Sequence, residues 1–201
     1  LGAGEATVLT RFAQYAARCG RHDEARNALE PALVRDPLNP LIHRAAGGIA
    51  YAARRFAEAI PPLEKALAMN PKLSRAHAAI GDARLNLGDV DGALAAYAQE
   101  PVADMRFAGL AVAHRRARQN DEADAAMREL RALGDRVLYQ QAQALAEARA
   151  IDEAIAALER AHALRDSGLI YALNDPFLDP LRGEARFRTL LERLGFDLPV
   201  A

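Results

Sequence analysis

The chain has 201 residues, of which 51 % are hydrophobic and 26 % charged, so it can bury a large core and still present a hydrated surface. Its 26 basic and 27 acidic side chains leave a net charge of −1, which lacks the overall basic excess that a general nucleic-acid binder uses to neutralise phosphates. No apolar run reaches the roughly 18 residues needed to cross a bilayer, and the single cysteine, Cys19, excludes an internal disulfide and a cysteine-based zinc site.

Alanine is abundant, tryptophan is absent and β-branched runs are rare. Alanine loses no side-chain entropy in a helix, so the expectation is an all-α chain. In chain order the elements come in pairs. Leu9, Phe12 and Ala13 mark a first helix by their i, i+3, i+4 spacing, and Ala25, Leu29 and Ala32 mark a second, followed by Pro37. His43, Ala46, Gly47, Ala59, Leu63, Ala66 and Pro71 repeat the pattern position for position in the next pair. His77, Ile80, Gly81, Ala93 and Tyr97 repeat it again at the same interval, with Glu100 in the slot where alanine stands in the earlier copies. Gly20 and Gly88 suit the turns between helices, because glycine accepts positive φ cheaply, and Asp23 and Asp91 open the helices that follow. Pro31 and Pro62 are expected to bend their helices; Pro61, near its helix start, is expected to be tolerated.

Two compressed copies follow. Phe107, Leu110, Ala111, Ala123, Met127 and Leu130 form one, and Leu138, Gln141, Ala142, Ala154, Leu158 and Ala161 the other. The units begin near Ala6, Pro40, Ser74, Asp104 and Asp135 and cover residues 6–165. Residues 166–201 differ: after Asp175-Pro176-Phe177-Leu178-Asp179-Pro180-Leu181, the run Arg186 to Phe196 reads as a short helix with Phe187, Leu190, Leu191 and Leu194 on one stripe, stopped by Gly195. That stripe, with Phe177 and Leu181, is suited to cover the exposed apolar end of a helical array.

A helix pair of about 34 residues with a small eighth residue, an alanine at the twentieth, a small residue at the twenty-seventh and proline at the thirty-second resembles the tetratricopeptide repeat (TPR), most closely from Pro40 to Pro71. The bulky aromatic slot of the first helix departs from the family, holding Leu9, His43, His77, Phe107 and Leu138. The resemblance implies a right-handed solenoid of about five helix pairs with a capping helix, acting as a protein- or peptide-binding scaffold rather than an enzyme and needing no cofactor. The tail resembles the closing segment of bacterial TPR regions, which implies the C-terminal part of a larger signalling or regulatory protein. Because the chain starts at Leu1, it is expected to be a piece of a longer, cytoplasmic one. Self-association that dimerises an upstream cyclase or DNA-binding output domain, or attachment to a transferase-type enzyme, are the alternatives.

The resemblance also implies which side chains line a concave groove. They are Thr7, Thr10, Arg11, Gln14 and Arg18 in the first unit, and Leu41, Arg44, Gly48 and Tyr51 in the second. The third unit adds Arg75, Asp82, Leu85 and Asn86, and the fourth adds Met105, Val112, Arg115 and Arg116. The fifth adds Arg136, Tyr139, Gln140, Gln143 and Glu147. Seven arginines stand against two acids in that set. Guanidinium groups bind carboxylates through paired hydrogen bonds, so an acidic or C-terminal peptide is the expected ligand, anchored by Tyr51 and Tyr139. The lysine and asparagine pair of chaperone-tail clamps is not matched: the chain has Thr10 with Gln14, and Arg44 with Gly48. Neither nucleic acid nor membrane contact is expected of this region.

Chemistry-bearing residues have plainer readings. His43 and His77 share one packing slot and His114 holds a tyrosine-like one, so all three are expected in or near the core, with no metal site. No Gly-x-Ser-x-Gly elbow occurs, and Asp175, Asp179 and Glu184 read as turn and cap residues.

Overall fold

The computed structural model describes residues 2–196 and 198. Among the described residues the regular secondary structure is all helical, with eleven α-helices and three short 3-10 helices. It divides into two compact units, residues 1–101 and 102–201.

The first unit holds three helix pairs: α1 (Gly2–Arg18) with α2 (His22–Arg35), α3 (Pro40–Ala52) with α4 (Phe56–Met69), and α5 (Ala76–Asn86) with α6 (Val90–Gln99). Two starts are fixed by side chains. Asn39 accepts a hydrogen bond from Leu41 N at 3.0 Å ahead of Pro40, and Asp89 accepts from Gly92 N at 2.9 Å. Asp23 and Asp91 lie in the first turns of α2 and α6, beside the positive helix ends. The turn inside each pair needs one left-handed residue. Gly20 (φ 76°) and Gly88 (φ 85°) supply it in the first and third pairs, and Arg54 (φ 59°) in the second. The prolines do not interrupt the helices that hold them. Both α2 and α4 run continuously through Pro31, Pro61 and Pro62, each proline removing one backbone donor without ending its helix.

The repeat columns work as small-into-large contacts. A Cβ placed on Gly47 would lie within van der Waals overlap of Leu63 Cγ, and one on Gly81 would lie 2.6 Å from the Tyr97 ring. A larger residue in either glycine slot would push its helix off its partner. Ala13, Ala25, Ala59, Ala66, Ala76 and Ala93 are wholly buried for the same reason. Glu100, the residue in the alanine slot, is 1 % exposed. Its carboxylate accepts Arg75 N at 2.8 Å and Ala78 N at 3.0 Å, capping the start of α5 from the end of α6.

The second unit holds α7 (Ala103–Arg116) with α8 (Asn120–Ala132), then a 3-10 turn (Gly134–Val137) leading into α9 (Leu138–Glu147) with α10 (Ile151–Ala163). Arg118 and Arg149, both at φ 62°, take the left-handed position that glycine holds in the first unit. Beyond α10 come 3-10 helices Ser167–Tyr171 and Pro176–Leu181, then α11 (Ala185–Arg193). The second of these 3-10 helices packs on α9, and α11 on α10. Leu178, Leu181, Phe187, Leu190 and Leu191 join one core with Leu138, Ala142, Leu158 and Ala161. The tail therefore covers the last helix pair. Residues 197 and 199–201 of the expected closing segment lie outside the described residues.

His43 is 6 % exposed, with Nε2 2.7 Å from Pro37 O, and His114 Nδ1 is 2.7 Å from Gln119 Oε1. Among the described residues, no cluster of three or more histidine, cysteine, aspartate or glutamate side chains could hold a metal ion, and no helix is long and apolar enough to cross a membrane.

Candidate functional site

In the first unit the side chains named for the groove recur at helical spacing along α1, α3 and α5. On α1, Arg11 is exposed and Gln14 and Arg18 are half-buried. On α3, Arg44 is half-buried and donates from Nη1 to Ser74 O at 2.8 Å, bracing the approach to α5. Gly48, one turn on, faces open space, with nothing within 4 Å of the position a Cβ would take. Tyr51 follows, its ring 5.4 Å from Phe56 and its hydroxyl accepting from Asn86 Nδ2 at 3.3 Å. Asn86 also donates to Asp82 O at 2.8 Å, and Asp82 Oδ1 accepts from the buried Tyr97 hydroxyl at 2.7 Å. This ladder fixes Tyr51, Asn86 and Asp82 as a rigid polar strip. Arg75 sits in the left-handed region (φ 67°) just before α5; its backbone is held by Glu100, while its side chain is exposed. Arg11 and Arg75 form no ion pair among the described residues.

The second unit is arranged differently, and several expectations are corrected there. Tyr139 is not an exposed anchor: it is 3 % exposed, with its hydroxyl donating to Asp175 Oδ2 at 2.6 Å. Gln143 donates to the same oxygen at 2.6 Å. Arg116 grips Glu147 with two hydrogen bonds, of 2.9 and 2.8 Å, and lies 5.6 Å above the Phe177 ring. Arg115 is bound to Asn120 at 2.8 Å and Asp124 at 2.6 Å, both on α8. Arg136 lies in the 3-10 turn before α9, donating to Leu133 O at 3.2 Å. Thr10 and Leu85 of the first unit, and Val112 and Gln140 of the second, are likewise buried rather than groove-lining. In the second unit the tail supplies partners to α7 and α9, and Arg115 and Arg116 turn onto neighbouring acids, while Arg136 stays exposed.

Asp175 is the residue the sequence reading underrated. It caps the second tail 3-10 helix through Phe177 N at 2.9 Å and is 6 % exposed. Burial pushes its carboxyl above the ordinary value, against the opposing pull of the hydrogen bonds from Tyr139, Phe177 N and Gln143 and of the charge on Arg182. An Asp-Pro pair before two apolar residues marks a cap in the sequence. The Tyr139 and Gln143 donors, one turn apart on α9, become visible as its partners only once the tail is docked.

Comparison with known proteins fits this architecture. Two models of the tetratricopeptide repeat match residues 10–74 and 50–106. A thermophilic TPR protein of Thermus thermophilus superposes with a TM-score of 0.66 at 18 % identity, covering 93 % of this chain and 99 % of that one. PilF of Pseudomonas aeruginosa gives 0.61 at 17 % identity, over 96 % of this chain and 100 % of its own. PilW, described as a widely conserved type IV pilus biogenesis factor, gives 0.60 at 16 % identity, over 94 % and 91 %. No curated protein sequence matches the chain. The fold is thus that of a stacked helix-pair scaffold. Residues 10–106 match the tetratricopeptide-repeat family, whose repeats generally mediate protein–protein interaction.

Proposed function

We propose that the chain is a non-catalytic scaffold that holds an acidic peptide on the α1–α3–α5 face of its first unit. The observation that carries this is the contrast between the α1–α3–α5 face and the arginines of α7. Among the described residues Arg11 and Arg75 stand exposed without an ion pair, on the face that holds the rigid Tyr51 strip, whereas Arg115 and Arg116 are bound to the chain's own acids. Guanidinium groups positioned next to an aromatic ring favour carboxylates flanked by apolar residues. Its place within a larger signalling or regulatory protein is part of the same proposal and rests on the resemblance of the tail.

Fluorescence anisotropy with a labelled Asp/Glu-rich peptide tests it. Binding is expected to weaken with salt and to be lost in Arg11→Glu/Arg44→Glu/Arg75→Glu, and to persist in Arg115→Glu/Arg136→Glu. Absence of binding, or equal binding by the first variant at an unchanged melting temperature, sinks the reading. Amidating the peptide's C-terminus separates a side-chain ligand from a terminal one.

One observation favours self-association as a second reading. Val8, Phe12 and Tyr15 are 68, 43 and 57 % exposed on one face of α1, whereas Ile42 and Ile49, which hold the slots of Val8 and Tyr15 on α3, are buried. Light scattering is expected to show a dimer that Phe12→Arg dissociates; a monomer at high concentration ends that reading.

A further inference from the structure

On a different surface of the first unit, α2, α3 and α4 enclose an open cavity of about 450 Å³. Its origin lies in the repeat columns. Where the third pair carries Ile80, Arg84 and Leu87, the second carries Ala46, Ala50 and Ala53 in the same slots, and all three alanines line the cavity. At the equivalent place one repeat on, Arg84 fills the space, donating to Gly92 O at 3.3 Å and lying 3.7 Å from Glu64. The counterpart of Glu64 is Glu30, which stands on the cavity rim with alanine, not arginine, in the slot facing it.

The lining has a definite chemistry. Leu29, Leu33, Ile49 and Pro62 give it apolar walls. Arg26 and Arg55 bring two guanidinium groups to the rim, both steadied by Asp23 at 3.1 and 3.9 Å, and Glu30 and Glu58 bring two carboxylates. A balanced rim disfavours a charged occupant. Guanidinium groups attract the electron-rich face of an aromatic ring, and carboxylates accept a hydrogen bond from its edge. His22 also lines the cavity, with Nδ1 buried and without a hydrogen-bond partner among the described residues. Burial lowers its pKa, with the charge on Arg55 acting the same way and Asp23 opposing, which favours the neutral ring.

We propose that this cavity receives a tryptophan side chain presented by a partner protein. An indole joins a large apolar face to a single edge N–H, the combination that these walls and this rim satisfy. The 201 residues themselves contain no tryptophan.

The same absence gives a clean test, because indole emission excited selectively comes only from the probe. Titration with N-acetyl-L-tryptophanamide is expected to give a saturable blue shift. Ala50→Arg, which restores the side chain that the next repeat carries and has Glu30 waiting as its partner, is expected to weaken binding by about tenfold or more. Ala46→Ile serves the same purpose should Ala50→Arg lower the melting temperature. The proposal is overturned by the absence of a saturable shift, by unchanged binding in the filled variants, or by equally effective displacement with N-acetyl-L-leucinamide.

Discussion

At the scale of single residues, two features set measurable energies. The first is Asp175, whose folded carboxyl is raised above 3.8 by burial. The folded state therefore holds a proton over a range where the unfolded chain has lost it. Stability from this group is greatest below the unfolded value and declines as pH rises through the window up to the raised folded value. Urea denaturation of wild type and Asp175→Asn between pH 7 and pH 3 is expected to show wild type gaining on the variant as pH falls through that window. A pH-independent difference would mean that the carboxyl is not desolvated. The second is the left-handed turn residue. Arg54, Arg118 and Arg149 occupy φ 59–62°, a region in which a Cβ crowds the following carbonyl. Replacing each with glycine is expected to stabilise the protein by about 0.5–1 kcal/mol, the relief of strain outweighing the added freedom of the unfolded chain. Thermal melts would register this as a higher Tm.

At the scale of helices, Gly81 of α5 and Gly48 of α3 have opposite meanings. Gly81 abuts the Tyr97 ring, which cannot swing away because its hydroxyl is tied to Asp82. Gly81→Ala is expected to cost about 1–3 kcal/mol. Gly48 faces open space, so Gly48→Ala is expected to gain up to about 1 kcal/mol from helix propensity alone. Chemical denaturation of the pair decides whether the eighth-position glycine is a contact or a mere tolerance. The pairing of Gly47 with Leu63 and of Gly81 with Tyr97 was legible in the sequence because small and large residues recur in matching slots of successive repeats. The role of Glu100 was not. A carboxylate in an alanine slot looks like a defect until the amides of Arg75 and Ala78, from the far end of the preceding helix, are seen to converge on it. The site was legible to the same degree. The family resemblance put Arg44, Gly48 and Tyr51 on one face of a groove, but it did not show that Arg116 and Tyr139 would meet Glu147 and Asp175, since those contacts join elements far apart in the sequence.

At the scale of the molecule, each unit carries its own core, and the tail is a structural part of the second. Deleting residues 166–201 would uncover Leu138, Tyr139, Leu158 and Ala161, all now 5 % exposed or less. The truncated chain is expected to bind a hydrophobic dye and to lose the protected amides of α9 and α10, while those of α1 to α6 keep their slow hydrogen exchange. Full protection throughout would show that the tail is dispensable.

The bond between Tyr139 and Asp175 also bears on the order of events during synthesis. Most contacts in a helix-pair array are local and form as soon as a hairpin is complete, which favours fast folding. This one must wait until the ribosome has released the segment around Asp175, long after α9 itself has emerged. Through that interval the nascent chain carries an unsealed apolar end, so the second unit is the part of the molecule most exposed to chaperones and to misassembly.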